Sequence, residues 1–315
     1  MIAVGEEPAM SKRMLVVRNP RAGSFLSQNT FLEAAGVIFK DESFNVYVYT
    51  TTGRGDATRI AREEGPGVDR IVAFGGDGTL SEVINGVMHL PAKERPELGY
   101  IPAGTTNDFA SGVGLSRSIV KAAQTVLTGV PEPLDVGQFG SDRYFSYVAS
   151  FGSFTKASYS APQDLKNALG YAAYLLEGLR SLIDIRSIPL TITVDGKVYE
   201  NEFIFGAISN AMSVGGVMKY NYEQVNLNDG LFEVLMIRTP RNLSEIQNLL
   251  ADVANRNYAD SPHILYHKAR KVTVRSEQPL AWTVDGESGG ETTEVTIRNF
   301  RRAINILTPK EKEYA

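Results

Sequence analysis

Three glycines surround one carboxylate in the stretch IVAFGGDGTLSEVINGV, residues 71–87, between an apolar run and a segment with helical spacing. Open backbone N–H groups at the start of a helix, together with its dipole, favour a phosphate, and glycine lets the backbone come close to a ligand. The carboxylate of Asp77 would repel a bare phosphate. It makes sense facing a magnesium ion, directly or through water, or orienting a hydroxyl. The same residues also make an ordinary strand-to-helix turn, which uses glycine routinely. Turn chemistry alone leaves both readings open. A P-loop needs Gly-Lys followed by Ser or Thr, a tripeptide absent from the chain, and the dinucleotide fingerprint fails at its third glycine, where Ser81 stands.

A second place for chemistry is a pair of turns. Val194-Asp195-Gly196-Lys197 and Val284-Asp285-Gly286-Glu287 are both Asp-Gly hairpin signals after a strand. As turns they are equal. The second adds Glu287 beside Asp285, with Trp282 before it and Ser288, Gly289 and Gly290 after it.

The elements that must hold these groups alternate in the first part of the chain. MLVVRNP (14–20), NVYVYTT (45–51), RIVAF and LGYIPAG (98–104) read as strands. Between them FLEAAGVIF, GRGDATRIAREEG with Asp56 as N-cap, LSEVINGVM and SRSIVKAAQTVLTG (116–129) read as helices. That alternation predicts right-handed crossovers and a doubly wound parallel sheet, closing near VPEPLDVG (130–137). The second part is mainly antiparallel β: LTITVDGKVY, EFIFGAIS, LFEVLMIRT, ARKVTVRS, LAWTVDGE and TEVTIRNF. A helix is expected over QDLKNALGYAAYLLEGLRSLIDI and another near 241–257. The expected fold is therefore an α/β domain, residues 1–134, followed by a β-rich domain, residues 135–302. The last strand, AINILTP, fits either, so that 303–315 has the option of returning to the first.

Composition narrows the chemistry. At 315 residues the chain has room for two cores. With no cysteine, disulfides, thiol catalysis and thiolate metal sites are excluded. A formal net charge of −4 argues against a dedicated nucleic-acid binder. Of the three histidines, His89, His263 and His267, the last two are four apart but lie in a strand pattern, so no helical ligand pair is expected. The first dozen residues carry no signal-peptide pattern, and the longest uncharged stretch, 203–218, is too short and polar to span a membrane.

GGDGT followed by a Glu-Val helix, then IPAGTTNDFA, closely resembles the diacylglycerol kinase catalytic domain of soluble bacterial lipid kinases. The likeness runs over nearly the whole chain through RNPRAG, GDATRIAREE, LDVG (134–137), NLNDGLFEV (226–234) and VDGE (284–287). GGDGT by itself is shared with NAD kinases; GTTNDFA and the order of the motifs point to the lipid-kinase branch. The resemblance implies an NAD kinase-like α/β domain and a β-sandwich, with the active site in the cleft between them. It implies transfer of the γ-phosphoryl group of ATP to diacylglycerol or a related lipid alcohol, giving phosphatidic acid, with magnesium. ATP contacts are implied at Asn19, Pro20, Arg21, Ala22, Gly23, Gly75, Gly76, Asp77, Gly78, Thr79, Leu80, Ser81 and Thr105, and at Thr50 or Thr51.

Asp77, Asp108 and Asp135 match acidic positions linked to magnesium and water; Asp108 as a helix cap and Asp135 as a solvated linker residue are the plain alternatives. Asn226, Asp229 and Leu231 match a structural magnesium segment that also reads as a simple turn. The resemblance makes Glu287 the general base and Asp285 its companion carboxylate. Many relatives carry Ser-Gly-Lys after the first Asn-Pro; this chain has Arg-Ala-Gly-Ser, leaving Arg18 or Arg21 to replace that lysine. The implied setting is cytoplasmic, peripheral to the inner membrane face, with a homodimer left open. Lys156, Lys166 and Arg180, and the aromatic stretch and Leu-Tyr helix of 145–185, are the candidates for lipid contact. An NAD kinase-like enzyme and a regulator without catalysis are the alternatives.

Overall fold

The structure, a computed structural model, describes residues 11–22, 27–105, 107–152, 187–211, 213–214, 218–220 and 225–311. Gly23, Lys156, Lys166, Arg180 and the helix expected over 163–185 lie outside the described residues. The chain divides into two compact units, residues 1–133 with 304–315, and residues 134–303.

The first unit contains β1 (Lys12–Arg18), α1 (Ser27–Ile38), β2 (Phe44–Thr50), α2 (Asp56–Glu64), β3 (Arg70–Gly75), α3 (Asp77–Met88), β4 (Glu97–Pro102), α4 (Asp108–Gly112) and α5 (Ile119–Thr128). β1 pairs in parallel with β2 and β3, and β3 with β4. Residues 304–308, the end of the final strand, add a fifth parallel strand through Ile306 beside Leu98. The order is β2-β1-β3-β4 and then that final segment, so the chain reverses its direction across the sheet between β1 and β3. Every residue of β3 is buried, as a strand covered on both faces requires. On one face Met14, Val16, Val72 and Phe74 pack with Ala34 and Ile38 of α1 and with Ala122 and Val126 of α5.

One local expectation is corrected. Asp56 is not the N-cap of α2: Gly55 is, and the side chain of Glu82 on α3 accepts the N–H groups of Gly55 (2.8 Å) and Ala57 (3.1 Å). A neighbouring helix thus does the capping that the sequence suggested for a local residue. Asp56 turns back to accept the Thr52 N–H at 2.8 Å. The stretch 130–137, near which the first domain is expected to close, is part of β5 (Val130–Phe139), and the two units divide within it after Pro133.

The second unit continues with β6 (Arg143–Phe145), β7 (Val148–Gly152), β8 (Ile188–Val194), β9 (Lys197–Ser209), β10 (Ser213–Val214), β11 (Met218–Lys219), β12 (Phe232–Arg238), α6 (Leu243–Ala254), β13 (Ile264–Ala269), β14 (Lys271–Val284) and β15 (Glu287–Thr308). Its strands pair antiparallel in the order β13-β12-β9-β7-β14-β15, with β8 joining β9 to β14 and β5 joining β6 to β15. ARKVTVRS and LAWTVDGE, read as two strands, are one: a register shift between Arg275 and Leu280 absorbs the residues between them. TEVTIRNF and AINILTP likewise form one strand, bent at Arg302, whose φ is 50°. One core gathers Phe145, Phe151, Phe203, Phe232 and Trp282; another packs α6 through Leu249 and Val253 onto Ile204 and Leu235. Among the described residues no helix is long and apolar enough to cross a membrane.

Candidate active site

The carboxyl ends of parallel strands, where the order of an open sheet reverses, are where such sheets bind ligands. Here that point falls between β1 and β3, and the residues just beyond it are tied together. Asn19, after β1, donates its amide to the Thr79 hydroxyl (3.0 Å), and its N–H reaches the Phe74 carbonyl (2.9 Å). Its side-chain oxygen accepts the Arg21 N–H at 2.9 Å, which curls residues 19–22 into a turn. Gly76 is the N-cap of α3 and carries no side-chain cap; its carbonyl accepts the N–H groups of Thr79 (3.0 Å) and Leu80 (3.1 Å). The N–H groups of Asp77 and Gly78 have no acceptor within the helix, which is the arrangement that favours an anion.

The glycines have a structural reason as well. A Cβ on Gly104 would stand 2.5 Å from the Gly76 Cα, so the loops after β3 and β4 touch backbone to backbone. Gly104→Ala is therefore expected to lower stability by about 1–3 kcal/mol and to weaken ATP binding, read by urea unfolding and titration calorimetry. Unchanged values in both would contradict that packing.

Asp77 joins the two loops. Its carboxylate accepts the N–H of Asp108 (2.9 Å), the N–H of Phe109 (3.4 Å) and the Tyr100 hydroxyl (3.3 Å). It thereby caps α4 from a distance of 31 residues. Burial pushes the carboxyl upward from its ordinary pKa, opposed by those backbone N–H groups, and burial beside Asp77 likewise raises the Tyr100 phenol. Asn107 is buried in the left-handed region, φ 53°, and accepts the Gly104 N–H at 3.0 Å. Asp108 is the first residue of α4 rather than its cap. The Asn107 N–H is directed at the same carboxylate, so donors of the protein itself occupy most of its lone-pair directions. A water of a hydrated magnesium ion fits that donor set; direct coordination through several oxygens does not.

The other implied ATP residues separate by burial. Leu80 is 1% exposed and Thr79 6%, so Leu80 is a core side chain and the Thr79 hydroxyl serves Asn19. Thr51 is buried and Thr50 exposed at the end of β2, which favours Thr50 of the two. Gly75 and Pro20 shape the turns, while Ser81 and Ala22 are half-buried and Thr105 is exposed. Arg18 lies with its guanidinium 4.5 Å over the Phe31 ring, whereas Arg21 is exposed in the 19–22 turn.

In the second unit the two Asp-Gly turns share one construction. Asp195 and Asp285 both have positive φ, 45° and 46°, and both carboxylates accept backbone N–H groups from a neighbouring segment. Asp195 takes those of Arg270 (3.1 Å) and Lys271 (2.9 Å); Asp285 takes those of Ser146, Tyr147 and Val148, each at 3.0 Å. Asp285 is therefore an anchor for the hairpin. What the second turn adds is Glu287, about a third exposed, with the Arg143 guanidinium 3.9 Å from Oε2. Arg143 also donates to the carbonyls of Ser288 and Val284 and so clasps both sides of the turn. Sequence reading missed Arg143, because it lies over a hundred positions from the hairpin that it holds.

Asp135 is fully buried in β5, not a solvated linker residue. It accepts the N–H groups of Gly230 (2.6 Å) and Arg302 (2.7 Å), and its own N–H reaches the Leu227 carbonyl (2.8 Å). It pins the 226–231 turn. Within that turn Asn226 accepts the Asn228 N–H, and Asp229 Oδ1 accepts the Leu231 N–H at 2.9 Å. The Lys268 ammonium stands 3.8 Å from Asp229 Oδ2 and 3.5 Å from Glu233, which is 1% exposed and pushed up to about 7 by burial. The turn's single carboxylate already has a cationic partner, so the residues Asn226, Asp229 and Leu231 do not fit a structural magnesium ion. Lys268→Met is expected to cost on the order of 2 kcal/mol, most of it recovered by adding Glu233→Gln. Equal losses in both backgrounds, in urea unfolding, would contradict the pairing.

Comparisons with known proteins agree with this layout. Residues 13–139 match the family described as diacylglycerol kinase catalytic domain. Residues 149–308 match the family described as YegS C-terminal NAD kinase beta sandwich-like domain. A diacylglycerol kinase of Bacillus subtilis is 37% identical over 96% of this chain and 98% of its own. A crystal structure of a diacylglycerol kinase from Bacillus anthracis superposes with a TM-score of 0.70 at 25% identity, over 96% of this chain and 99% of that one. A yeast NADH kinase shares the fold, with a TM-score of 0.56 at 11% identity, over 97% of this chain and 86% of that one.

Proposed function

The chain belongs to the diacylglycerol kinase catalytic-domain family and is a lipid kinase of that type, and from this premise we propose that it transfers the γ-phosphoryl group of ATP to the hydroxyl of diacylglycerol, giving phosphatidic acid. The observation that carries the reading is the pair of loops at the β1/β3 reversal, held by Asn19–Thr79 and by Asp77 across to α4. Open N–H groups of Asp77 and Gly78 and the exposed Arg21 suit the phosphates of ATP. Asp77, held by the Tyr100 hydroxyl and by backbone N–H groups at the start of α4, positions both loops, and a water of hydrated magnesium would meet it there. When bound, that ion would neutralise charge on the phosphates.

Glu287 is the base. Its carboxylate accepts the acceptor hydroxyl's proton as the oxygen forms a bond to the γ-phosphorus and the bond to ADP breaks. Asp285 holds the hairpin that carries Glu287, and Arg143 restrains it. The test is ADP release with magnesium-ATP against diacylglycerol in mixed micelles, other lipid alcohols and NAD. Release with diacylglycerol is expected; release with NAD and with none of the lipids would reverse the reading.

A further inference from the structure

Along the solvent face of β14 and β15, opposite the core residues Val272, Val274, Val295 and Ile297, three cross-strand pairs follow in order. Arg275 faces Glu294 in an ion pair of 2.9 Å, and Thr273 faces Thr296 with their hydroxyls 3.0 Å apart. The third pair is Lys271 facing Arg298, two cations directly opposite one another. Like charges in that position destabilise a sheet.

More cations gather at the same end of the ribbon. The Arg270 carbonyl accepts the Asn299 N–H at 2.9 Å, and the Nε groups of Arg301 and Arg302 both sit 3.4 Å from the Asn228 carbonyl. Arg270, Lys271, Arg298, Arg301 and Arg302 are all exposed, and none forms an ion pair among the described residues. Two carboxylates that touch this run serve its backbone instead: Asp195 accepts the N–H groups of Arg270 and Lys271, and buried Asp135 that of Arg302. Phe300 stands within the run, 39% exposed, its ring 6.0 Å from that of Tyr144. A chain of net charge −4 thus gathers five exposed cations and one exposed aromatic ring at the same end of the ribbon.

We infer that this end of the β14–β15 ribbon rests on an anionic lipid surface, with Lys271, Arg298 and the neighbouring arginines against headgroup phosphates and Phe300 at the acyl boundary. The inference rests on the lipid-kinase reading, because a membrane-held acceptor is what requires the enzyme to sit on a bilayer. Cations near an anionic leaflet attract it additively, and an aromatic ring supplies the apolar part of interfacial binding. The like-charged pair, costly in isolation, is relieved by phosphates lying between the two strands.

Co-sedimentation of the full chain with phosphatidylcholine vesicles, with and without phosphatidylglycerol, tests this. The wild type binds the anionic vesicles and is released by salt. Lys271→Gln with Arg298→Gln lowers the partition coefficient roughly 25-fold, while melting no lower than wild type because the repulsion is gone. Phe300→Ser and Arg301→Gln, each outside the like-charged pair, lower binding in the same direction and serve if the double variant is unstable. All keep wild-type activity on a short-chain, water-soluble diacylglycerol. Equal vesicle binding by wild type and variants overturns the inference, as does displacement by inorganic phosphate or an oligonucleotide at concentrations that leave the ionic strength unchanged. Vesicle binding without phosphorylation of any diacylglycerol would instead defeat the lipid-kinase reading and leave this surface standing.

Discussion

Glu287→Gln is expected to lower turnover at least about a hundredfold, the low end of the range for a positioned general base, while ATP affinity stays within a few-fold. Glutamine keeps the size of the side chain and one acceptor but cannot take a proton. The Arg143 guanidinium near Oε2 loses its charge partner, yet its bonds to the Val284 and Ser288 carbonyls still close the turn, so folding is retained. The check is steady-state kinetics beside calorimetric ATP titration. Wild-type turnover in the variant would remove Glu287 from the chemistry. Asp285→Ala acts through position instead: three backbone N–H groups lose their acceptor, so turnover and stability fall together.

The second large effect falls on Asp77. Asp77→Ala leaves the N–H groups of Asp108 and Phe109 without their acceptor, while the Tyr100 hydroxyl keeps Asn107 Oδ1 at 3.2 Å, a cost of about 2–4 kcal/mol on stability. Turnover falls with it, because α4 and the Gly104 loop lose their link to the glycine turn. Asp77→Asn does little better: its amide must either point a donor at the donors of α4 or leave one of them unpaired. Urea unfolding and turnover for both variants decide the matter. A variant of full stability with low turnover would mean that Asp77 serves only the metal, and not the scaffold.

The strands and helices of the first unit were legible because each carries its own signal, an apolar run followed by glycine or a turn pair. GGDGT marked the site for the same reason. Its internal logic was not legible. Asp77 meets its partners 31 residues on, and Gly104 needs to be glycine because Gly76 lies against it, a contact that appears only once β3 and β4 are side by side. Asp135 sits among prolines and a glycine, where the resemblance implies a place near magnesium and water and a solvated linker residue is the alternative. Its burial follows from the backbone donors of Gly230 and Arg302, about a hundred and more positions away. The two Asp-Gly turns were recognised as equals, and they are: both aspartates serve the backbone, and Glu287 is the difference. Leu80 lies inside the motif, but its helical position points its side chain into the core.

The central claim is transfer of the terminal phosphoryl group to a lipid hydroxyl through Glu287. The most direct measurement incubates wild type and Glu287→Gln with γ-labelled magnesium-ATP and diacylglycerol in mixed micelles, then extracts the lipid. Label in the organic phase migrating as phosphatidic acid with wild type, and at background with the variant, is the predicted result. Label that stays in the aqueous phase with the wild type, or reaches the lipid equally with both proteins, would contradict it.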